Sequence, residues 1–323
     1  MINTSEPQDR IMDRTLLRSK FIKRFGSDPE TIRDIRDIEK IEQIDADERF
    51  PCQSPNEALI LASQAFPKAT AISFLPNGSV SDVPINWTYK EYQEEVYRAA
   101  NMFHSFGLRP DQSVIFLLPN VPQFLFGLWG AQLAGIAAPI NPYLEVEHIA
   151  SIAKSANAKI LVTLAPSQPG GEDLWNKAMK AKSIASDIQQ IIVIGDSQDD
   201  YSSSWDQATR AQPSDRLIFD RPISGTEIAS FFHTGGTTGA PKLAQHTHRR
   251  QVLNVCQMQI TGPRGKEKNE FADCDIILCT LPLFHVNAVF VTSLNAIVGA
   301  GQVVLAGPNG FRNPQLRRLW QPE

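Results

Sequence analysis

Two long stretches without a charged side chain, Gln112–Leu144 and Val286–Phe311, constrain this 323-residue chain more than any other feature. A membrane-spanning helix needs about 20 consecutive apolar residues. Pro119, Pro122, Pro139 and Pro142 interrupt the first stretch, and Asn120, Gln123 and Gln132 lie inside it. Its pattern predicts a strand at Val114–Leu118, a helix at about Gln123–Leu133 stopped by Gly135, and a strand at Ile136–Ile140. The region of the second stretch repeats that grammar. A strand at Asp275–Leu281 meets Pro282, a helix covers about Ala288–Val298, Gly299 and Gly301 break it, and Gln302–Leu305 forms another strand. The two regions look like copies of one strand–helix–strand unit. Strands apolar on both faces and alternating with helices imply an α/β fold with mostly parallel sheets covered by helices.

Composition narrows the function classes. Apolar residues at 42% and charged residues at 20% provide enough core to exclude global disorder. Lys+Arg 31 against Asp+Glu 35 leaves a net charge of −4, so no basic excess exists to drive binding of a nucleic-acid backbone. Cys52, Cys256, Cys274 and Cys279 are too few for a disulfide scaffold and fit no zinc spacing, which makes a reduced, cytoplasmic location the default expectation. The first 25 residues mix both charge signs and lack the apolar core of a signal peptide.

Residues 1–50 read as a helical N-terminal extension. Ile32, Ile35, Ile38, Ile41 and Ile44 recur every third residue, and Asp28-Pro29 offers an N-cap and first-turn proline. Such a helix is expected to pack on the body, or alternatively to bind a partner. From Ala58 onward a core begins, with two strands around a Pro76-Asn77-Gly78 turn. Thr88 and Glu91 form a capping box for a helix ending before Gly107. Ala158–Leu164 and Ile191–Gly195 read as strands around a helix near Leu174–Gln190. Ser197–Asp215 reads as a polar loop, and Lys266, Glu267 and Lys268 as an exposed one.

The chemistry concentrates in IASFFHTGGTTGAPKLAQHTH, residues 228–248. An apolar strand at about Ile228–Phe232 runs into Thr234-Gly235-Gly236-Thr237-Thr238-Gly239, then Ala240-Pro241-Lys242. Three glycines let backbone N–H groups approach a ligand closely, two threonine hydroxyls add donors, and Lys242 adds a point charge. The arrangement suits phosphate oxygens. It is not a Walker A loop, because Lys242 follows a proline rather than a glycine. Thr247 and His248 read as the start of the next helix, in a capping role.

This segment resembles the phosphate-binding loop of the adenylate-forming enzymes, which include acyl-CoA synthetases, peptide-synthetase adenylation domains and luciferases. Three further segments agree, in family order. WTYKEYQEEVYRAANMFHSFGLRPDQSVIFLLPN from Trp87 is similar to the family's early region, LAGIAAPINP from Leu133 to its P-I-N-P motif, and LPLFHVNAVF from Leu281 to its P-L-F-H motif beside the acyl pocket. The resemblance runs from about residue 55 to 310. Gly235 stands where many members carry Ser, Leu243 replaces a common glycine, and Ala288 sits near another.

The resemblance implies ATP-dependent activation of a carboxylic acid. The carboxylate attacks the α-phosphate to give an acyl-adenylate and pyrophosphate, and coenzyme A then takes the acyl group. By matching position, Thr234 to Gly239, Pro241 and Lys242 are implied to hold the phosphates, with Lys242 and Thr237 as the catalytic pair. His285 and Phe284 are implied to line the substrate pocket. Mg2+ is implied as ATP's companion ion, although none of its ligands is found in the sequence. The uncharged pocket segments favour an apolar, fatty acyl group. The family's later Y-G-x-T-E and T-G-D signatures and its C-terminal lid are not found. Residues 51–323 are therefore expected to form part of an adenylation domain with two α/β subdomains. A non-catalytic nucleotide-binding remnant is the alternative expectation.

Overall fold

The computed structural model describes residues 33–49, 52–79, 81–197, 202–234, 242–261, 276–308 and 310. In chain order, α1 (Ile35–Glu42), α2 (Ala46–Arg49) and α3 (Pro55–Ala65) lead into β1 (Thr70–Phe74), β2 (Ile85–Thr88) and α4 (Tyr89–Ser105). Next come β3 (Ser113–Phe116), α5 (Pro122–Ala134), β4 (Ile136–Pro139), α6 (Val146–Ser155), β5 (Ala158–Leu164), α7 (Gly171–Ile184) and β6 (Gln190–Ile194). They are followed by β7 (Ser202–Ser204), α8 (Trp205–Arg210), β8 (Ile228–Thr234), β9 (Lys242–Thr247) and α9 (His248–Thr261). The series ends with β10 (Ile276–Cys279), a π-helix over Ala288–Leu294, α10 (Asn295–Val298) and β11 (Gln302–Leu305).

The strands form two sheets, ordered β7-β6-β5-β3-β4-β8-β9 and β10-β11-β1-β2. All described pairings are parallel except β1–β2 and β8–β9. Both predicted strand–helix–strand units are present, and each sets its two strands side by side in parallel register. They lie in different sheets. Helix α5 buries 12 of its 13 residues, which explains its all-round apolar composition: it is packed between α4, α3 and the sheet rather than against lipid. No helix among the described residues is long and apolar enough to cross a membrane.

Local chemistry sets several boundaries. The Thr88 side chain accepts from the Glu91 N–H while the Glu91 carboxylate accepts from the Thr88 N–H, the predicted capping box. Gly107 follows α4 at φ 83°, a left-handed stop that suits glycine. Where α4 and α5 cross, the Trp129 indole N–H donates to the Tyr92 hydroxyl at 2.6 Å, inside the core.

Two expectations need correction. The segment read as a loop at Ser197–Asp215 contains β7 and α8, because Trp205 is 2% exposed and packs edge-on against Phe103 at 6.1 Å. One buried indole organises an otherwise polar stretch. Helix α1 is capped by Asp34 and has no fully buried residue; Ile38 and Ile41 are half-buried while Ile35 and Ile44 are exposed, so the isoleucine stripe is covered only in part. Asp28-Pro29, Lys266–Lys268 and Cys274 lie outside the described residues. The helix read as starting at Thr247 and His248 does begin at His248; what the sequence reading did not include is strand β9 before it.

Candidate active site

In parallel sheets, ligands gather beyond the carboxyl ends of the strands. The motif residues collect at such ends. Asn120 follows β3, Asn141 follows β4, Thr234 ends β8, and Pro282–His285 follows β10. Thr234 and Lys242 stand opposite each other as the last paired residues of the β8–β9 hairpin, and the Thr234 hydroxyl donates to the Lys242 carbonyl at 3.4 Å. Both side chains are exposed. Gly235, Gly236, Thr237, Thr238, Gly239 and Pro241 lie outside the described residues, in the segment that joins this pair. Thr247 performs its predicted capping role, accepting from the Arg250 N–H at 3.3 Å.

His233 was not singled out in the sequence, yet it sits at the centre of this arrangement. The Asn141 backbone N–H donates to its Nε2 at 3.0 Å, which fixes the ring and leaves Nε2 unprotonated. Burial, and then the nearby positive form of His285, lower the pKa of His233. His285 itself is exposed, while Phe284 is buried with its ring 4.7 Å from the imidazole. The structure thus brings His285 toward the Thr234 end of β8.

Asn120 fixes that approach. Its Nδ2 donates to the Leu281 carbonyl at 2.8 Å, and its Oδ1 accepts from the Leu283 N–H at 2.9 Å. One amide from the seven-stranded sheet therefore grips both sides of Pro282 in the other sheet. Asn120 and Asn141 both stand inside segments quoted above as motifs, so position within a motif was the available signal. Their partners are 163 and 92 residues away, which local pattern cannot disclose.

Beside the hairpin lies a cavity of about 500 Å³. Gln245 and His246 of β9 and Arg250 and Asn254 of α9 form one wall. Val286, Asn287, Phe290 and Val291, which follow His285, form the other. Phe290 and Val291 of the second wall belong to the π-helix, a winding often found at functional sites. His246 packs edge-on between Phe232 at 5.5 Å and Phe290 at 5.2 Å. Burial, then the Arg250 charge, lower its pKa.

Two residues beyond His246, His248 is fully buried with both ring nitrogens unpartnered among the described residues, and burial followed by the Arg221 charge pushes its pKa down to about 4. Among the described residues, no group of three or more His, Cys, Asp or Glu side chains is arranged to hold a metal ion.

Residues 61–321 match the model of the AMP-binding enzyme family. The chain belongs to that family. It is 45% identical over 296 residues to the marinolic acid–CoA ligase of Pseudoalteromonas sp. (strain SANK 73390), covering 92% of this chain and 44% of the relative. It is 29% identical over 259 residues to 4-coumarate–CoA ligase 2 of Nicotiana tabacum, covering 78% of this chain and 44% of the relative. The chain thus spans less than half the length of these curated relatives. Among solved structures, the anthranilate CoA ligase AuaEII in complex with anthranoyl-AMP superimposes with a TM-score of 0.67 at 18% identity, over 81% of this chain and 46% of that one. The N-terminal domain of FACL13 from Mycobacterium tuberculosis gives 0.60 at 19% identity, over 79% and 57%. At those identities the superpositions establish the fold: the α/β architecture of adenylate-forming enzymes.

Proposed function

We propose that this chain takes part in ATP-dependent activation of a carboxylic acid, through an acyl-adenylate, toward a coenzyme A thioester. The observation that carries the reading is its 45% identity to a CoA ligase across 92% of its own length. A carboxylate oxygen attacks the α-phosphorus of ATP, and the bond to the bridging oxygen breaks as pyrophosphate leaves. The thiolate of CoA then attacks the acyl carbonyl, and AMP leaves.

Charge builds on the β- and γ-phosphates in the first step. Donors fixed in advance around those oxygens stabilise that transition state more than the ground state. Thr234 and Lys242, paired across the hairpin, hold the two ends of the glycine-rich segment at one place, which supports roles for Thr237, Thr238 and Lys242 on pyrophosphate. Lys242 is exposed at the strand start, free to reach a ligand there. Phe284 and His285 immediately precede Val286 and Asn287 in the cavity wall, and we read that cavity as the place where the acyl group of a fatty acid would lie. Mg2+ would arrive with ATP; no described side chain is assigned to it. We read residues 51–323 as adenylation domain, and Cys52, Cys256 and Cys279, all free and buried, agree with a cytoplasmic setting.

Carboxylate-dependent ATP–pyrophosphate exchange on the purified 323-residue chain tests the reading. Aliphatic and aryl acids are compared, and exchange should fall roughly 10²–10³-fold in Lys242→Ala. Silence with every acid in a folded sample that still binds ATP would replace it with a non-catalytic nucleotide-binding role.

A further inference from the structure

The cavity wall is not uniformly apolar. Val286, Phe290 and Val291 provide a hydrocarbon surface, whereas Gln245, His246, Arg250, Asn254 and Asn287 provide polar groups. Arg250 and Asn254 are one helical turn apart and share a face of α9.

Arg250 differs from its neighbours. Arg249 is committed to structure: Nε donates to Asp47 at 2.9 Å, and its terminal nitrogens donate to the Cys52 carbonyl at 2.7 Å and the Ala46 carbonyl at 2.6 Å. Arg221 pairs with Glu227 at 2.6 Å. No described carboxylate pairs with the Arg250 guanidinium, whose charge bears instead on His246 of the same wall. The position is also electrostatically adverse. Arg250 occupies the first turn of a 14-residue helix that has no acidic residue there, and the helix dipole disfavours cations at that end. Helix field and guanidinium therefore add, and both favour an anion or an acceptor oxygen. Arg250, Asn254 and Asn287 are exposed at the open side of the cavity, so water meets their donors until a ligand covers them; a plain hydrocarbon tail laid over them would desolvate Arg250 and offer no acceptor in exchange.

We propose that Arg250, assisted by Asn254 and Asn287, determines specificity for an acid whose aliphatic chain carries a second oxygen function, a carboxylate above all. This rests on the reading of the cavity as the acyl site. The apolar wall holds the methylenes, and the α9 face reads the distal oxygen.

Binding of three matched acids to the 323-residue chain, by equilibrium dialysis, tests this without requiring turnover. Decanedioate should bind at least about tenfold more tightly than decanoate, with 10-hydroxydecanoate between them, since a charge-assisted hydrogen bond commonly supplies a factor of that size. In Arg250→Gln the ratio of decanedioate to decanoate affinity should fall to about one. If that variant melts differently from the parent, Asn254→Leu replaces it, with a ratio reduced severalfold. Equal affinities in the parent, absence of binding by all three, or a preference that survives in the folded variant overturns the assignment. Exchange assays with the same acids separate the two readings. Exchange without preference sinks the specificity claim alone, and preferential binding without exchange sinks acid activation alone.

Discussion

Gly130→Ala is a sharp test of the packing that supports the site. Gly130 lies on α5 where α4 crosses it, and a methyl built there would sit 2.8 Å from the Ala99 Cβ, 2.9 Å from the Ala100 nitrogen and 3.0 Å from the Val96 oxygen. Two of these neighbours are helix backbone, so relief requires the whole of α4 to move away. Overpacking of this kind costs about 1–3 kcal/mol, and immovable backbone argues for the upper half. Against it, alanine is favoured over glycine in a helix by about 1 kcal/mol. The net expectation is destabilisation by about 1–2 kcal/mol, or several degrees in melting temperature, with the sign set by tertiary packing. Urea unfolding followed by tryptophan fluorescence measures it. Ala99→Gly added to Gly130→Ala should recover only part of the loss, because the Val96 and Ala100 backbone contacts remain. A single variant as stable as the parent would refute the reasoning, since helix propensity would then have outweighed the crossing.

Two further outcomes follow from the site itself. His248 has an ordinary pKa of 6.5 and a folded value of about 4, so the unfolded chain binds more protons than the folded one between those limits. Its contribution to stability is intact above pH 6.5 and is lost as pH falls toward 4, by about 3 kcal/mol at roughly 1.4 kcal/mol per unit. His248→Gln should flatten the pH dependence of unfolding in that window, and an unchanged slope would contradict it. Asn120→Ala should cost about 1–3 kcal/mol by orphaning the Leu283 N–H and Leu281 carbonyl, and should raise KM for the acid as His285 loses its anchor. Wild-type KM in a destabilised but folded variant would argue that Asn120 only braces the sheets.

How far the sequence discloses this fold depends on how local each cause is. The capping box at Thr88 and Glu91 needs four consecutive residues, and it forms as predicted. Strand Ala158–Leu164, AKILVTL, is apolar apart from Lys159 and Thr163, and its predicted limits match the structure. Strand β9 was missed because KLAQHT has no apolar alternation of its own; it is a strand because it pairs antiparallel with β8. Helix α8 was missed because five of its six residues are other than apolar aromatic, and its cause, the burial of Trp205 against Phe103, is a contact about 100 residues away along the chain. At the site, Lys242 and Thr234 announce themselves by composition. His233, Arg250 and Asn120 do not, because each gains its meaning from what faces it.

By itself the sequence determined most of the elements and their order, though not β7, α8 or β9, and it marked out the glycine-rich motif, since helix caps, turns and apolar runs act within a few residues. Only the tertiary structure decided which sheet each unit joins: two regions with the same grammar were placed in different sheets, and β11 lies between β10 and β1, across a separation of 231 residues at Ile72 and Val303. Strand pairing uses backbone groups that every sequence carries, so partner choice comes from the packing of side chains brought together by the whole chain. The same dependence decided that the wall beside the hairpin carries a guanidinium that no described carboxylate neutralises.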